Sequence, residues 1–333
     1  MWTAFFGLIT AVDFTEDVDE VNYAIVFESV LLIGMMILVG VILSYLNPLN
    51  EQNKQTYSMI IVNVAMPCII LSSIFKVDIN QAMLRNILIV FILSLAINLF
   101  GIGLGGLLVT LCSPGNSFRR EISLLSGLGN TGFIGIPLCA TLLGPEGAMY
   151  AAIFDAGMDM VIWTVGVMIL QKSKSFSMSS IKSMVNMPTL AIGFGLIFAF
   201  AKYHPPHIFV SLTNQLAALA SPLAMFYIGL LIMSITKSQF QTAKSKIVIP
   251  VVSKLVILPL FVLMVIKMMN MDGIVAETLL IQAMMPVLTL ASILFSRYGA
   301  NDKLGAITTI ITTIISMISI PLFLYILTRF HYL

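Results

Sequence analysis

Apolar runs of about 20 residues recur along the whole chain, and this recurrence limits the available folds more than any other feature. A helical run of that length matches the hydrocarbon thickness of a bilayer, whereas the alternation typical of a membrane β-barrel is absent. Of the 333 residues, 59% are hydrophobic and 10% are charged, and the mean hydropathy is +1.03. Soluble domains carry about 25% charged residues. The sequence therefore predicts an all-α integral membrane protein.

The apolar runs predict ten transmembrane helices joined by short connections. The acidic residues that follow a short apolar start in 1–22 exclude a secretory signal and predict an N-terminal outer segment. The Ser- and Lys-rich loop 172–185 divides the remainder into two halves of five spans, 23–171 and 186–333. The predicted spans are 23–45, 57–75, 84–111, 121–143, 147–171, 186–202, 209–235, 246–268, 274–296 and 304–328.

Basic residues favour one orientation of these spans. With the N-terminus outside, eleven Lys and Arg residues lie in cytoplasmic segments and five lie in outer segments. Short cytoplasmic loops retain basic residues, so the sequence predicts a multi-pass protein of the cytoplasmic membrane with both termini outside. The eleven are Lys54, Arg119, Arg120, Lys172, Lys174, Lys182, Lys237, Lys244, Lys246, Arg297 and Lys303; the five are Lys76, Arg85, Lys202, Lys267 and Arg329.

The string GNTGFIGIPL, at 129–138 in span four, opposes a continuous helix. It contains three glycines and a proline, and Asn130 and Thr131 add polarity in the middle of a bilayer span. An unwound helix exposes backbone groups and two half-helix ends, which can bind a solute that has lost its water. The predicted break residues are Gly129, Gly135 and Pro137 in span four and Pro286 in span nine.

The two halves of the chain are weakly similar at an offset of about 156 residues. Pro67 aligns with Pro222, Glu121 with Glu277, and Asn130 with Pro286. Because each half has an odd number of spans, the two repeats would be inverted in the membrane. The sequence thus predicts two inverted five-helix repeats with broken, crossing helices in spans four and nine, which is an architecture of transporters.

Polar residues near the centre of the spans form the candidate substrate site. A Lys or Asp at a helix centre costs about 2.5 to 3.5 kcal/mol on insertion scales, so such groups face a cavity or a partner. Lys254 either neutralises an anionic substrate or belongs to a permanent ion pair, and Asn98 either contacts substrate or joins helices. The predicted substrate-binding residues are Asn98, Asn130, Thr131, Gly132, Lys254, Gln282 and Pro286.

Asp155 and Asp159 are one helical turn apart and therefore share a face of span five. Two neighbouring carboxylates disfavour each other's ionisation, so the pair is a candidate site for a coupling H⁺ or Na⁺. The structural alternative is that the two aspartates cap the broken helices or pair with Lys254. Cys68, Cys112 and Cys139 lie in or beside spans and are interpreted as packing residues.

These features resemble the auxin efflux carrier family, which includes bacterial malate permeases and plant auxin exporters. The resemblance lies in GNTGFIGIPL, in an internal aspartate and Trp163 of span five, in NVAMPCIILSSIF at 63–75, in Lys254-Leu255 leading to Pro259, and in Pro286. It implies the fold of bile-acid symporters, with spans one, two, six and seven as a dimeric scaffold and the others as a moving core. The chain lacks the long hydrophilic loop of the plant members and resembles the short bacterial branch.

The resulting functional hypothesis is a secondary carrier for small organic anions such as malate, with an elevator-like movement and a homodimeric assembly. A cation/proton antiporter or a sodium-coupled symporter is the related alternative, and a membrane receptor or channel is the alternative from another class. No ATP-binding GxxxxGK[ST] motif is present. We expect no enzymatic activity, cofactor, metal site or nucleic-acid partner.

Overall fold

Within the residues that the computed structural model describes, the chain is helical, and extended backbone is confined to connections and to one isolated antiparallel bridge between Gly129 and Val287. Helices satisfy their own backbone hydrogen bonds, as a lipid environment requires. The all-α prediction is therefore confirmed for this part of the chain. The predicted segment 1–22 and most of the loop 172–185 lie outside it. The described residues are 23–47, 50–77, 80–113, 115–171, 185–201, 205–233 and 246–329.

We number the helices of these residues in chain order. The first half contains α1 (Tyr23–Leu46), α2 (Glu51–Ile60), α3 (Met66–Ile74), α4 (Gln81–Cys112), α5 (Arg119–Gly127), α6 (Ile136–Val161) and α7 (Val167–Gln171). The second half contains α8 (Met187–Phe200), α9 (His207–Ala217), α10 (Ala220–Ile232), α11 (Val248–Val252), α12 (Leu258–Met268), α13 (Gly273–Met284), α14 (Ala291–Arg297) and α15 (Asp302–Arg329). The π-helical turns Ile61–Ala65, Thr131–Gly135, Ile162–Gly166 and Ser253–Ile257 connect neighbouring helices.

Helices lie at each predicted span, with ends that differ from the prediction by a few residues. Among the described residues, six helical segments are long and apolar enough to cross a membrane, and three shorter helices are also apolar. The segment Thr131–Gln171 contains both span four and span five, because Gly144 turns the chain with a φ of 70° and a ψ of −159°. The inverted relation of the two halves stays a prediction.

Three prolines are accommodated by widened helical turns. Pro67, Pro137 and Pro259 each follow the end of a π-helical turn by two residues. A proline in a helix lacks an N–H group and its ring clashes with the carbonyl group four residues earlier, and a wider turn relieves this clash. The predicted break at Gly135 and Pro137 is therefore wrong. Both residues lie in helical turns, and the unwound stretch of span four is limited to Leu128, Gly129 and Asn130.

The interior contains two clusters of buried apolar side chains. The larger includes Ile134 and Met285, and the smaller includes Leu128 and Val287. Both broken helices thus pass from one cluster to the other at their breaks. Apolar side chains also cover much of the outer surface, among them Leu107 on α4, which is 55% exposed. Such exposure suits contact with lipid tails.

Candidate functional site

The unwound parts of spans four and nine cross each other through backbone hydrogen bonds. The amide of Asn130 donates to the carbonyl oxygen of Pro286 at 2.7 Å, and the amide of Leu288 donates to that of Leu128 at 3.2 Å. The bridge between Gly129 and Val287 lies between these two bonds. Each unwound segment therefore satisfies part of the backbone that the other exposes, as a membrane interior demands.

Threonines complete the hydrogen bonding at this crossing. Thr312 Oγ1 on α15 accepts from the amide of Val287 at 3.1 Å, and Thr309 Oγ1 donates to the carbonyl oxygen of Leu288 at 2.8 Å. The side-chain amide of Asn130 donates to Thr289 Oγ1 at 2.5 Å. Span ten therefore acts as a third component of the crossing.

The second half of span four begins at the crossing. The amides of Ile134 and Gly135 both donate to the carbonyl oxygen of Asn130, at 3.3 and 3.2 Å. The preceding N–H groups, from Thr131 to Phe133, form the free N-terminal end of this half-helix. A helix N-terminus carries partial positive charge, which favours a negative group nearby.

That negative group is Asp155 of α6. Its side chain is buried, and its Oδ1 accepts a hydrogen bond from Thr131 Oγ1 at 2.5 Å. A β-carbon added to Gly132 would lie 3.0 Å from Asp155 Oδ2, so the carboxylate contacts the first turn of the half-helix. Asp159 lies one turn further along α6, is half-buried, and accepts from the side-chain amide of Asn186 at 2.6 Å.

Lys254 contacts the unwound stretch at Gly129. It belongs to the π-helical turn Ser253–Ile257 and is 2% exposed. A β-carbon added to Gly129 would lie 2.8 Å from Lys254 Nζ, so the ammonium group contacts the crossing. Among the described residues Lys254 has no hydrogen-bond or ion-pair partner, so the ion pair with Asp155 or Asp159 that the sequence left open is absent from that part of the chain.

Gln282 and Asn98 occupy positions next to the crossing helices. The Gln282 amide donates to the carbonyl oxygen of Ala151 at 3.3 Å, and its Oε1 lies against Gly135, where a β-carbon would clash with it. Gln282 Oε1 and Asn130 Oδ1 are buried acceptors without a hydrogen-bond partner in the described structure. The Asn98 amide donates to Ser94 of its own helix at 2.7 Å, and Ser94 in turn donates to Phe154.

Comparisons with known proteins identify the family of this chain. A family model described as membrane transport protein matches residues 25–324. The chain belongs to this family, the auxin efflux carrier family. It is 24% identical to an uncharacterized transporter of Methanothermobacter thermautotrophicus over 296 residues, which cover 89% of this chain and 96% of that protein. It is 26% identical to the uncharacterized transporter MJ1031 of Methanocaldococcus jannaschii over 308 residues, 90% of this chain and 98% of that protein.

As a member of this family, the protein is a multi-pass membrane transporter, and its crossing brings together most of the residues predicted from sequence. Asn130, Thr131, Gly132, Lys254, Gln282 and Pro286 lie at or directly beside the crossing, and Asp155 contacts it. Asn98 makes its side-chain bonds within α4. Asp159 is directed to α8 by its bond with Asn186.

Four polar residues that hold these groups in place were not predicted from the sequence: Thr289, Thr309, Thr312 and Asn186. A signal for the threonines was present, because Thr308, Thr309, Thr312 and Thr313 repeat with helical spacing on span ten. Within the described residues, no cluster of three or more His, Cys, Asp or Glu side chains is arranged to hold a metal ion. The crossing thus presents hydrogen-bonding groups, one ammonium and one carboxylate.

Proposed function

We propose that this transporter is a secondary carrier for small organic anions, such as malate or related carboxylates. The observation that supports this function most directly is the buried side-chain amino group of Lys254 beside Gly129, without a counter-ion among the described residues. A buried charge without a partner is strongly unfavourable, and a bound carboxylate would supply the missing negative charge. An anion would therefore bind here in preference to a neutral or cationic solute.

The positions of Lys254 and Asp155 along the crossing suggest where the carboxylate would bind. Lys254 lies at Gly129, whereas the Asp155 carboxylate lies at Gly132. Like charges repel most strongly where water is excluded. The substrate carboxylate would therefore bind on the Lys254 side, with the Asn130 side chain as a neighbour, and the remaining predicted substrate residues would contact the rest of the molecule.

Asp155 and Asp159 are proposed to carry the coupling ion. A proton on the pair would remove negative charge from the crossing when the anion arrives. Binding of the proton would therefore strengthen binding of the anion, and the reverse. The second candidate is a sodium-coupled symporter or a cation/proton antiporter. It is favoured by the Thr131 hydroxyl next to the Asp155 carboxylate, since hydroxyl and carboxylate oxygens are ligands for hard cations.

The proposed movement is elevator-like, with two inverted repeats that contribute to a scaffold (spans one, two, six and seven) and a core (spans three to five and eight to ten). A cavity of about 20 Å³, enough for about one water molecule, lies between these two groups of helices. Ile37 and Met225 line it from the proposed scaffold, and Ile134, Leu138 and Thr313 line it from the proposed core. A cavity at this border would widen when the core moves.

We further propose that the carrier is a homodimer in the cytoplasmic membrane, with both termini outside. The outward face of α1 exposes Leu38, Ile42 and Leu46 at helical spacing, an apolar surface that a second scaffold would cover. Crosslinking in native membranes, with Cys68, Cys112 and Cys139 replaced and one cysteine placed along this face, measures whether two copies meet there. A cysteine at Leu107 of α4 is the comparison.

Counterflow in proteoliposomes tests the proposed function. Vesicles loaded with an unlabelled carboxylate would accumulate the radiolabelled form transiently, which a carrier produces and a channel does not. Lys254→Met should abolish this accumulation, and Lys254→Arg should retain part of it if the charge is what matters. Lys246→Met is the matched control, because Lys246 lies over the Phe118 ring, 3.9 Å from its centroid, rather than at the crossing.

Two results would contradict the proposal. One is full counterflow by Lys254→Met together with normal counterflow by Lys246→Met, which would show that transport does not need the charge of Lys254. The other is the absence of counterflow with every mono- and dicarboxylate that shifts the thermal unfolding of the purified protein. A ligand at 100 times its Kd adds about 2.7 kcal/mol to apparent stability, so binders are readily detected.

A further inference from the structure

Trp163 lies in the π-helical turn Ile162–Gly166 of span five. This turn differs from the other three in the described residues, because the helix that follows it, α7, contains no proline. The amide of Val167 donates to the carbonyl oxygen of Ile162, five residues earlier. Turns of this kind are frequent at functional sites. A proline clash explains the other three turns but not this one, so the neighbours of Trp163 are of interest.

The ring of Trp163 lies next to the charge of Arg297, the last residue of α14. The guanidinium carbon of Arg297 is 6.0 Å from the centroid of the Trp163 ring and 5.9 Å from that of Tyr298. Both distances allow a cation–π interaction, which attracts a cation without neutralising its charge. Arg297 is exposed, and within the described residues it has no ion-pair partner. The two rings thus hold a cation that is available to an anion.

Further positive charge surrounds this position. Glu121 of α5 accepts from the amide of Asn301 at 3.2 Å, so the beginnings of α5 and α15 lie together. Arg120 donates to a carbonyl oxygen of α7 at 2.9 Å, and Lys303 is exposed on the first turn of α15. Glu121 is buried, which leaves Asp302 as the exposed carboxylate of these turns. This end of the helix bundle is therefore positively charged.

Apolar side chains lie next to Arg297 on the side that leads toward the crossing. Ile293 precedes Arg297 by one helical turn, shares its face of α14 and is 52% exposed. Met160 precedes Trp163 by three residues in span five and is 37% exposed. A cation at the end of a span with exposed apolar side chains below it matches a phospholipid, whose phosphate group and acyl chains follow in the same order. Tryptophan is itself enriched at the level of the lipid headgroups.

We infer that the Arg297 guanidinium group binds the phosphate group of an anionic phospholipid. Trp163 and Tyr298 hold the guanidinium group in place, and its planar fork donates two parallel hydrogen bonds to phosphate. The acyl chain covers Ile293 and Met160, which inorganic phosphate would leave exposed. An anionic headgroup is favoured over a zwitterionic one, because the latter brings a cation of its own that the surrounding basic residues repel. The headgroup site is separate from the proposed substrate site at the crossing.

Quenching of Trp163 fluorescence by brominated phospholipids tests this inference in the full-length protein. The sequence contains two tryptophans, so Trp2→Phe leaves Trp163 as the single fluorophore. A phospholipid with brominated acyl chains quenches a tryptophan that it contacts. In proteoliposomes of phosphatidylcholine, brominated phosphatidylglycerol should bind beside Trp163 about fivefold more strongly than brominated phosphatidylcholine, which is the effect expected of one basic residue.

Arg297→Gln should remove this preference for the anionic lipid, whereas Arg297→Lys should keep part of it, because lysine keeps the charge but lacks the planar fork. The preference is a ratio measured within one variant, so a change in the brightness of Trp163 does not alter it. Arg119→Gln is the matched control and should keep the full preference. Arg119 is also exposed at this end of the bundle, but the two rings contact Arg297.

Four results would overturn the inference. Equal quenching by both lipids in the parent would show that the site does not select an anionic headgroup. Equal losses in Arg119→Gln and Arg297→Gln would show a diffuse effect of surface charge. Release of brominated phosphatidylglycerol by excess inorganic phosphate would show a site for the free ion. An unchanged preference in Arg297→Lys would exclude the guanidinium group, and this variant decides the question if Arg297→Gln does not fold.

Discussion

The amide of Asn130 donates a 2.7 Å hydrogen bond to the carbonyl oxygen of Pro286, two residues that are 156 positions apart in the chain. The same two residues are related by the weak repeat in the sequence. Each lies where a helix of the membrane interior is interrupted. Asn130 supplies a free backbone donor and Pro286 a free backbone acceptor, so each satisfies the other. Backbone hydrogen bonds therefore join the two interrupted helices directly, and the side chains of Asn130, Thr309 and Thr312 add further bonds at the crossing.

Gly132→Leu should abolish transport while the protein still inserts into the membrane. A β-carbon at this position would lie 2.8 Å from Met66 Cε and 3.0 Å from Asp155 Oδ2, so a leucine must displace the carboxylate from the half-helix. Gly103→Leu is the control, because a β-carbon there meets nothing within 4 Å. Uptake into proteoliposomes at matched protein content measures the effect. Normal uptake by the Gly132 variant would show that the Asp155 contact is dispensable.

Gly129→Ala and Lys254→Met should have non-additive effects on anion counterflow. The new methyl group would lie 2.8 Å from Lys254 Nζ and would move the ammonium group from the crossing. Lys254→Met removes the amino group that the methyl group introduced at position 129 would otherwise displace. Adding Gly129→Ala should therefore have little further effect, and the double variant should resemble Lys254→Met alone. Gly166→Ala, whose nearest neighbour would be at 3.6 Å, serves as control. Strictly additive losses of counterflow would show that Gly129 and Lys254 act independently.

Thr312→Val should destabilise the folded protein by about 1 to 3 kcal/mol, because it leaves the buried amide of Val287 without an acceptor. Thr308→Val is the matched control. Thr308 is also buried on α15, but its hydroxyl bonds only to the Leu304 carbonyl oxygen of its own helix. Thermal unfolding in detergent, followed for both variants under the same conditions, measures the difference. Equal losses for the two variants would mean that the crossing does not depend on span ten.

The helical class, the positions of the spans and the place of the crossing could be predicted because they follow from local sequence. Hydropathy places each span, and the glycines and Asn130 mark span four as the broken one. The end of the break could not be predicted in the same way. Pro137 normally interrupts a helix, but the π-helical turn Thr131–Gly135 widens the backbone ahead of it and keeps Gly135 and Pro137 helical.

The partners of the charged residues could not be predicted from local sequence, because they depend on which elements pack together. Asp155 and Asp159 share one helix face, yet Thr131 binds the first and Asn186 the second. Lys254 has opposite charge and similar predicted depth, which allowed an ion pair with either aspartate. The unwound chain at Gly129 contacts Lys254 instead, whereas Asp155 lies at Gly132 and Asp159 is bonded to Asn186. A contact of this kind requires the relative rotation of three spans, which hydropathy does not encode.

Proton coupling can be tested at Asp155, the carboxyl group of the pair that contacts the crossing. If a proton on Asp155 accompanies the anion, substrate entry into proteoliposomes should acidify the lumen, as reported by an enclosed pH dye. Asp155→Asn keeps the size of the side chain but is permanently neutral, so anion flux should persist without the change in lumenal pH. In the parent, raising external pH should slow uptake, because fewer carriers then hold the proton that offsets the charge of the arriving anion. The sodium-coupled alternative gives the opposite pattern, with uptake that requires external Na⁺ and leaves lumenal pH unchanged. Electrogenic anion flux in the parent without proton movement and without Na⁺, at every pH tested, would make the aspartates structural and the protein a uniporter.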